Sequence, residues 1–250
     1  MQVAAMILVE TSAPGNLGAA MRAAANFGVQ KLHLVQPGVE HDGEEVLRWA
    51  CGAADLLKIT VHESLNEAAA PYSTVIGTAS ARGRSNLPVI LPPELVRQLE
   101  RRALHATALV FGNETRGLSR ADLDRCDLVV RIPTDPAFPV LNLAQSIAIL
   151  LGYLAIELPS PKAASTNLAS HQAVEALMRH MEEALLRIGF LDPVNPTRIL
   201  RKLRRLLGRA AVTSEEVTIL HGICRQTLWA SADRPQPNPP KDDDNATAGT

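Results

Sequence analysis

Three separated segments carry the polar side chains whose types and spacing could do chemistry. They are Pro14–Gly18 with Arg22 six residues after Asn16, Phe111–Leu118 with Gly112, Asn113, Glu114 and Gly117, and Leu141–Gln145 with Asn142. Amides can donate and accept hydrogen bonds, a carboxylate accepts them, and a guanidinium suits phosphate or ribose. Such groups form a ligand crevice when they gather at the carboxyl ends of parallel strands. The segments therefore predict one ligand site built from distant parts of the chain.

Most of these residues also have a simpler structural interpretation. Asn16 and Asn142 are preferred helix N-caps, and Gly15 and Gly18 permit a tight turn with close packing. Glu114 taken alone is an ordinary surface acid. Arg22 is the exception, because a guanidinium in the alanine-rich stretch 19–25 has little structural role.

The elements that must position these residues alternate along the first 158 residues, which predicts an α/β fold with a mostly parallel sheet. The predicted strands are Ala4–Val9, Lys31–Val35, Leu57–Val61, Thr74–Thr78, Ala106–Phe111 and Leu128–Ile132. The predicted helices are Asn16–Phe27, Glu44–Cys51, Ser64–Ala70, Pro93–Ala103, Ser119–Leu123 and Asn142–Leu158. Residues 80–92 are predicted to form a long surface loop.

Composition divides the chain into 1–158, a linker at 159–170, a helical extension at 171–229 and a tail at 230–250. The extension has no strand pattern and predicts three helices, with breaks near Gly189 and Gly208. Thr213 and Glu216 have the spacing of a capping box that opens the last helix. The tail is rich in Pro, Asp and Asn, which predicts disorder.

A basic stripe is predicted on the helix that begins near Thr197. Its members follow offsets of 3, 4, 7 and 11 and are Arg198, Arg201, Lys202, Arg205 and Arg209. A stripe of one charge sign on one helix face is typical of phosphate binding. The alternative is a solvated face whose charges are neutralised by acids such as Glu175, Glu182 and Glu183.

Composition also excludes several classes of function. Net charge is −1 over 250 residues, and three scattered cysteines provide neither a disulfide framework nor metal-ligand spacing. The chain lacks the G-x-G-x-x-G, P-loop, H-E-x-x-H and C-x-x-C patterns, and its few aromatic residues argue against base-stacking platforms of the RRM kind. No apolar run is long enough to span a bilayer, so we expect a soluble cytoplasmic protein.

In order and spacing the three segments resemble the motifs of the knotted SPOUT RNA methyltransferases, and in particular the TrmJ-type tRNA 2′-O-methyltransferases. Gly77-Thr78 followed by Ala81-Arg82 resembles the Gly-Thr-x-Ala-Arg loop of that subgroup, with one extra residue. Ile132-Pro133-Thr134 belongs with Leu141–Ala144 in the third motif. Residues 178–222 resemble the family's helical extension, so the similarity covers about residues 5–228.

The resemblance implies a trefoil-knotted α/β methyltransferase domain plus a small all-α extension, working as a homodimer. It implies S-adenosylmethionine as cofactor and tRNA as partner, with methylation of a ribose 2′-hydroxyl at anticodon-loop position 32, and no metal. The implied cofactor-binding residues are Thr78, Ala79, Gly112, Asn113, Glu114, Gly117, Ile132, Leu141, Asn142 and Ala144. The implied RNA-binding residues are Arg22, Arg82, Arg84 and the basic stripe.

The implied catalytic residues are Asn16, Arg22, Glu114 and Asn142. Arg22 would stabilise developing charge or act as a base, while Asn16 and Glu114 would hold Arg22 and the ribose. Val140 stands where the family usually has a serine, and Ala13 where it usually has a histidine. Two alternatives stay open: methylation of ribosomal RNA or another tRNA site, and an RNA-binding knotted protein with little catalysis.

Overall fold

The first part of the chain forms a seven-stranded sheet in the computed structural model, which describes residues 3–79, 89–100, 106–158 and 167–232. Its strands are β1 (Ala5–Val9), β2 (Lys31–Val35), β3 (Lys58–His62), β4 (Thr74–Thr78), β5 (Val89–Ile90), β6 (Thr107–Phe111) and β7 (Leu128–Val130). The order is β3-β2-β1-β6-β4-β7-β5, and every neighbouring pair is parallel. The predicted parallel α/β sheet is confirmed.

Helices cover both faces of the sheet, as the alternation along the chain predicted. They are α1 (Pro14–Asn26), α2 (Glu44–Ala50), α3 (Leu65–Ala69), α4 (Pro92–Leu99), α5 (Arg120–Asp124) and α6 (Leu143–Glu157), with a short 3₁₀ helix at Ala53–Leu56. Successive residues of β1 point to opposite faces, so Met6 and Leu8 belong to one core and Ile7 to the other. The strands are therefore apolar throughout because both of their faces are buried.

Helix α1, which carries Asn16 and Arg22, is held at a fixed distance from α2 by Gly18. A Cβ atom at Gly18 would lie 2.4 Å from the Val46 carbonyl oxygen and 2.9 Å from the Ala50 nitrogen. Both neighbours are backbone atoms, so they cannot move aside cheaply. Glycine at this position therefore sets the packing of α1 against α2.

The helical extension consists of α7 (His171–Arg187), α8 (Thr197–Ala210) and α9 (Ser214–Ala230), packed around a core of their own. The backbone nitrogen of His171 donates to the Tyr72 carbonyl at 2.6 Å, which ties the start of α7 to the turn before β4. Helix α8 also packs closely against the α/β part, since a Cβ atom at Gly208 would lie 3.1 Å from the Asp127 Cα. The extension is thus in direct contact with the α/β part.

Several predicted boundaries are wrong. Residues 89–90 form a strand and α4 begins at Pro92, so the loop predicted over 80–92 does not reach residue 92. Gly208 lies inside α8, which ends instead where Ala211 takes a left-handed conformation with φ 53°.

The edges of the predicted linker and tail make defined contacts. The backbone of Ala169 donates to Val212 and the Asn167 carbonyl accepts from Ser214, so residues 167–170 belong to the helical unit. Ser231 is buried and continues the end of α9. The rest of the predicted linker and tail, 159–166 and 233–250, lies outside the described residues.

Candidate functional site

A cavity of about 280 Å³ opens at the carboxyl ends of β4, β6 and β7. This volume is near the lower end of ligand pockets, roughly 300–1,000 Å³. The predicted cofactor-binding residues that line it are Thr78, Ala79, Gly112, Asn113, Glu114, Gly117, Ile132 and Leu141. The structure therefore brings the second and third sequence segments into one site, together with the end of β4.

The turn after β6 can form only because residue 112 is glycine. A Cβ atom there would lie 2.2 Å from both the Gly117 carbonyl carbon and the Leu118 nitrogen. Asn113 stabilises the same turn, since its Oδ1 accepts from the Thr115 nitrogen at 2.9 Å and its Nδ2 donates to the Glu10 carbonyl at 2.7 Å. The cavity wall is consequently a rigid backbone turn.

Glu114 connects this turn to the first segment. Its carboxylate accepts from the Ser12 nitrogen at 3.3 Å, the Ser12 hydroxyl at 3.4 Å and the Ala13 nitrogen at 3.4 Å. These donors precede α1, where a negative charge also interacts favourably with the helix dipole. Glu114 therefore has a structural role in addition to lining the cavity.

Asn142 connects the third segment to the first. Its Nδ2 donates to the Asn16 Oδ1 at 2.8 Å, while its own Oδ1 accepts from the Ala144 and Gln145 nitrogens as the N-cap of α6. Asn16 is not an N-cap, because α1 begins two residues earlier and Ala13 occupies the cap position. The N-cap interpretation is right for Asn142 and wrong for Asn16.

Two predicted cofactor residues, Asn142 and Ala144, do not line the cavity. The reason is that the polar groups of the first turn of α6 are used for capping, and the Asn142 amide faces α1 rather than the cavity. The structure adds cavity-lining residues that were not among the predicted cofactor-binding residues: Phe111, Thr115, Arg116, Val130, Thr134, Pro139, Val140, Leu143 and Ser146. Most of these lie within the predicted segments or directly beside them. Ser146 follows Asn142 by one helical turn, a spacing that could have identified it.

Arg22 contacts a different part of the chain from the other predicted catalytic residues. It is exposed, and its Nη1 donates to the Cys51 Sγ at 3.5 Å. Six residues separate it from Asn16, which is about 9 Å along a helix axis. Among the described residues of one chain, the structure shows no hydrogen bond from Arg22 to Asn16 or Glu114, so the expectation that these two residues hold Arg22 stays a prediction.

The basic stripe on α8 does not face solvent along its whole length. Arg198, Lys202 and Arg209 are exposed, whereas Arg201 pairs with Asp124 at 3.6 Å and Arg205 is half-buried. Close packing of α8 at Gly208 turns part of this face toward the α5–β7 connection. Arg204, outside the stripe, pairs with Glu175 through Nη2 at 3.2 Å from Oε2. Arg82 and Arg84 lie outside the described residues.

The parallel sheet, the cavity at its carboxyl edge and the appended helices define an α/β ligand-binding protein with a helical extension. Residues 4–152 match the SpoU rRNA Methylase family, and residues 172–237 match the C-terminal domain of the tRNA methyltransferase TrmJ. The chain belongs to the SpoU methylase family.

Several characterised proteins resemble the chain over most of its length. The tRNA (cytidine/uridine/adenosine-2′-O-)-methyltransferase TrmJ of Pseudomonas aeruginosa is 39% identical over 240 residues, covering 89% of this chain and 92% of that protein. The tRNA (cytidine/uridine-2′-O-)-methyltransferase TrmJ of Yersinia pestis is 38% identical, covering 87% and 88%. The crystal structure of TrmJ from Z. mobilis is 28% identical with a TM-score of 0.76, covering 90% of this chain and 98% of that one.

Two further observations concern the described residues only. Within them, no helix is both long and apolar enough to cross a membrane. The same part of the chain contains no group of three or more His, Cys, Asp or Glu side chains arranged to hold a metal ion.

Proposed function

We propose that this protein is an S-adenosylmethionine-dependent 2′-O-methyltransferase that methylates a cytidine or uridine ribose in tRNA, at anticodon-loop position 32. The observation that carries the proposal is the presence of a SpoU methylase domain and a TrmJ C-terminal domain in one chain. The similar proteins named above act on tRNA, which favours tRNA over ribosomal RNA as the substrate.

The cavity fits the cofactor. S-adenosylmethionine supplies the methyl group when it is bound. The Gly112 turn presents backbone groups without a side chain in the way, and Thr78, Ile132 and Leu141 provide further wall. A cradle of main-chain groups explains why the chain needs no glycine-rich dinucleotide motif.

The residues around the cavity are suited to positioning a ribose. Asn16 and Asn142 hold each other at the junction of α1 and α6, and Glu114 fixes the turn before α1. This preorganisation would help to hold the acceptor hydroxyl in line with the methyl group when both are bound. Such alignment removes an entropic cost of up to roughly 7–11 kcal/mol.

Arg22 is proposed to act on the cavity of a second subunit. It is exposed on α1, a helix that packs against α6, and α6 carries the exposed apolar side chains Ile149 and Ile156. Pairing this surface with a second copy would bury those side chains and bring Arg22 to the partner's site. There the guanidinium would stabilise charge on the 2′-oxygen or position a phosphate.

The proposal also includes the trefoil knot and a cytoplasmic location. The knot is supported by the position of β7, which enters the sheet between the earlier strands β4 and β5. A cytoplasmic location follows from the proposed tRNA substrate. The exposed cations Arg198, Lys202 and Arg209 are proposed to contact the tRNA backbone.

The proposal is tested by transfer of label from S-adenosylmethionine to unmodified tRNA, with alkali-resistant linkages mapped. We expect one labelled nucleotide, at position 32, and none in tRNA with a 2′-deoxy nucleotide there. Arg22→Ala should abolish transfer without changing cofactor affinity. The matched control is Arg48→Ala, which removes an exposed arginine from α2 and should leave the rate unchanged.

Other outcomes would favour the alternatives. Label in ribosomal RNA or at another tRNA nucleotide would retain the chemistry and change the substrate. RNA and cofactor binding without any label would indicate an RNA-binding protein with little catalysis, and Val140→Ser would then test whether the missing hydroxyl is responsible.

A further inference from the structure

The loop beside the cavity exposes an aromatic side chain. Phe138 is 82% exposed, and it stands between Thr134 and Pro139, which both line the cavity. The sequence has only four phenylalanines, and a ring in this position contributes almost nothing to the core. Because its neighbours in this loop line the cavity, a ligand bound there is a candidate contact for the exposed ring.

The loop holds the backbone of Phe138 in a defined position. The Thr134 hydroxyl donates to the Pro139 carbonyl at 3.1 Å, the Phe138 nitrogen donates to the Asp135 carbonyl at 3.1 Å, and the Ala137 nitrogen donates to the Asp135 Oδ1 at 2.7 Å. Proline within the loop further restricts φ. A loop backbone that is ordered in advance loses less conformational entropy on binding.

We propose that Phe138 stacks on the nucleobase of the ribose that enters the cavity. This inference rests on the proposed function, because it requires an RNA nucleotide at the site. Proteins that read single-stranded RNA commonly stack splayed bases on aromatic side chains. A phenyl ring has no hydrogen-bonding group, so Phe138 positions the nucleotide without selecting the base.

A subunit contact is the competing explanation for the exposed ring. Val140, next but one in the chain, is 42% exposed, and Ile149 continues an apolar surface along α6. The nucleobase is favoured because cavity-lining residues flank Phe138 on both sides. The two explanations predict different responses to substitution, since stacking needs an aromatic ring and a subunit contact needs only apolar volume.

The test compares Phe138→Ala, Phe138→Leu and Phe138→Trp in the full chain. Affinity for an anticodon stem-loop oligonucleotide is measured by fluorescence anisotropy. Alanine and leucine should weaken binding by about 5- to 150-fold, the range for loss of one base–aromatic stack, whereas tryptophan should retain it. Cofactor affinity should not change in any variant. Phe190→Ala, which removes another exposed ring far along the chain, should leave RNA affinity unchanged.

The same oligonucleotide with an abasic nucleotide at the target position completes the test. The loss caused by Phe138→Ala should disappear with this RNA, because the stacking partner is already absent. Equal affinity for the leucine variant and the wild type would overturn the inference, as would an unchanged loss with the abasic RNA. If light scattering shows that the wild type is the proposed dimer and that Phe138→Ala is a monomer, the ring belongs to the subunit interface and the inference is overturned. These measurements use binding, so a wild type that binds RNA without methylating it would contradict the proposed function separately.

Discussion

One added methyl group at Gly112 should disable the site. The Cβ of Gly112→Ala would lie 2.2 Å from the Gly117 carbonyl carbon, whereas ordinary van der Waals contact begins at 3.4 Å. The turn must therefore open by more than 1 Å, and the atoms in the way are backbone atoms that cannot rotate aside. The displaced segment carries Asn113 and Glu114, which line the cavity and bond to the region before α1.

The expected magnitudes follow from this displacement. Overpacking of a tight site costs about 1–3 kcal/mol in the free energy of unfolding. For a domain of this size that is a fall in melting temperature of about 2–4 °C per kcal/mol. A displacement of about 1 Å at reacting groups can lower the rate about 100-fold. Stability is measured by thermal unfolding, cofactor affinity by calorimetry and methyl transfer with labelled cofactor.

Gly222→Ala is the matched control. It adds the same methyl group inside α9, where, within the part of the chain that the structure describes, only the flexible Arg225 guanidinium approaches, to 3.8 Å. Alanine in a helix interior should stabilise the protein by roughly 0.5–1 kcal/mol and leave the rate unchanged. The reasoning is refuted if Gly112→Ala retains wild-type cofactor affinity and rate, or if both variants lose activity equally.

Three further predictions concern other contacts. Arg204→Leu should lower the free energy of unfolding by up to about 3–5 kcal/mol, because it leaves the half-buried Glu175 carboxylate without the arginine that pairs with it. Adding Glu175→Leu to this variant should recover part of the loss, as measured by urea titration. Burial is the main cause that lowers the pKa of His33 to about 4. The free energy of unfolding should therefore keep its full value above pH 6.5 and decrease as the pH falls toward 4. His33→Gln should show a weaker decrease over the same range when unfolding is measured as a function of pH. Asn142→Ala should lower the free energy of unfolding by about 1 kcal/mol, because α6 loses its N-cap. Asn142→Ser should keep the cap and the stability but slow methylation, because the serine side chain is too short to reach Asn16.

The sequence alone determined the elements and the chemistry available to them. The strands were recognisable because short apolar runs bounded by polar turns are a local property, and β2 and β4 have their predicted bounds. The Thr213–Glu216 capping box was equally local and is present. Most cavity-lining residues lie in or beside the predicted segments, because the carboxyl ends of parallel strands meet at one edge of the sheet.

The tertiary structure decided which of these groups touch. Asn142 bonds to Asn16 across 126 residues, and Glu114 bonds to Ser12 across 102. Gly208 lets α8 pack against the α/β part, which turns Arg201 toward Asp124 instead of solvent. No local pattern encodes such pairs, since each depends on the packing of elements far apart in the chain. For the same reason the contact of the Arg22 guanidinium with Cys51 became visible only in three dimensions.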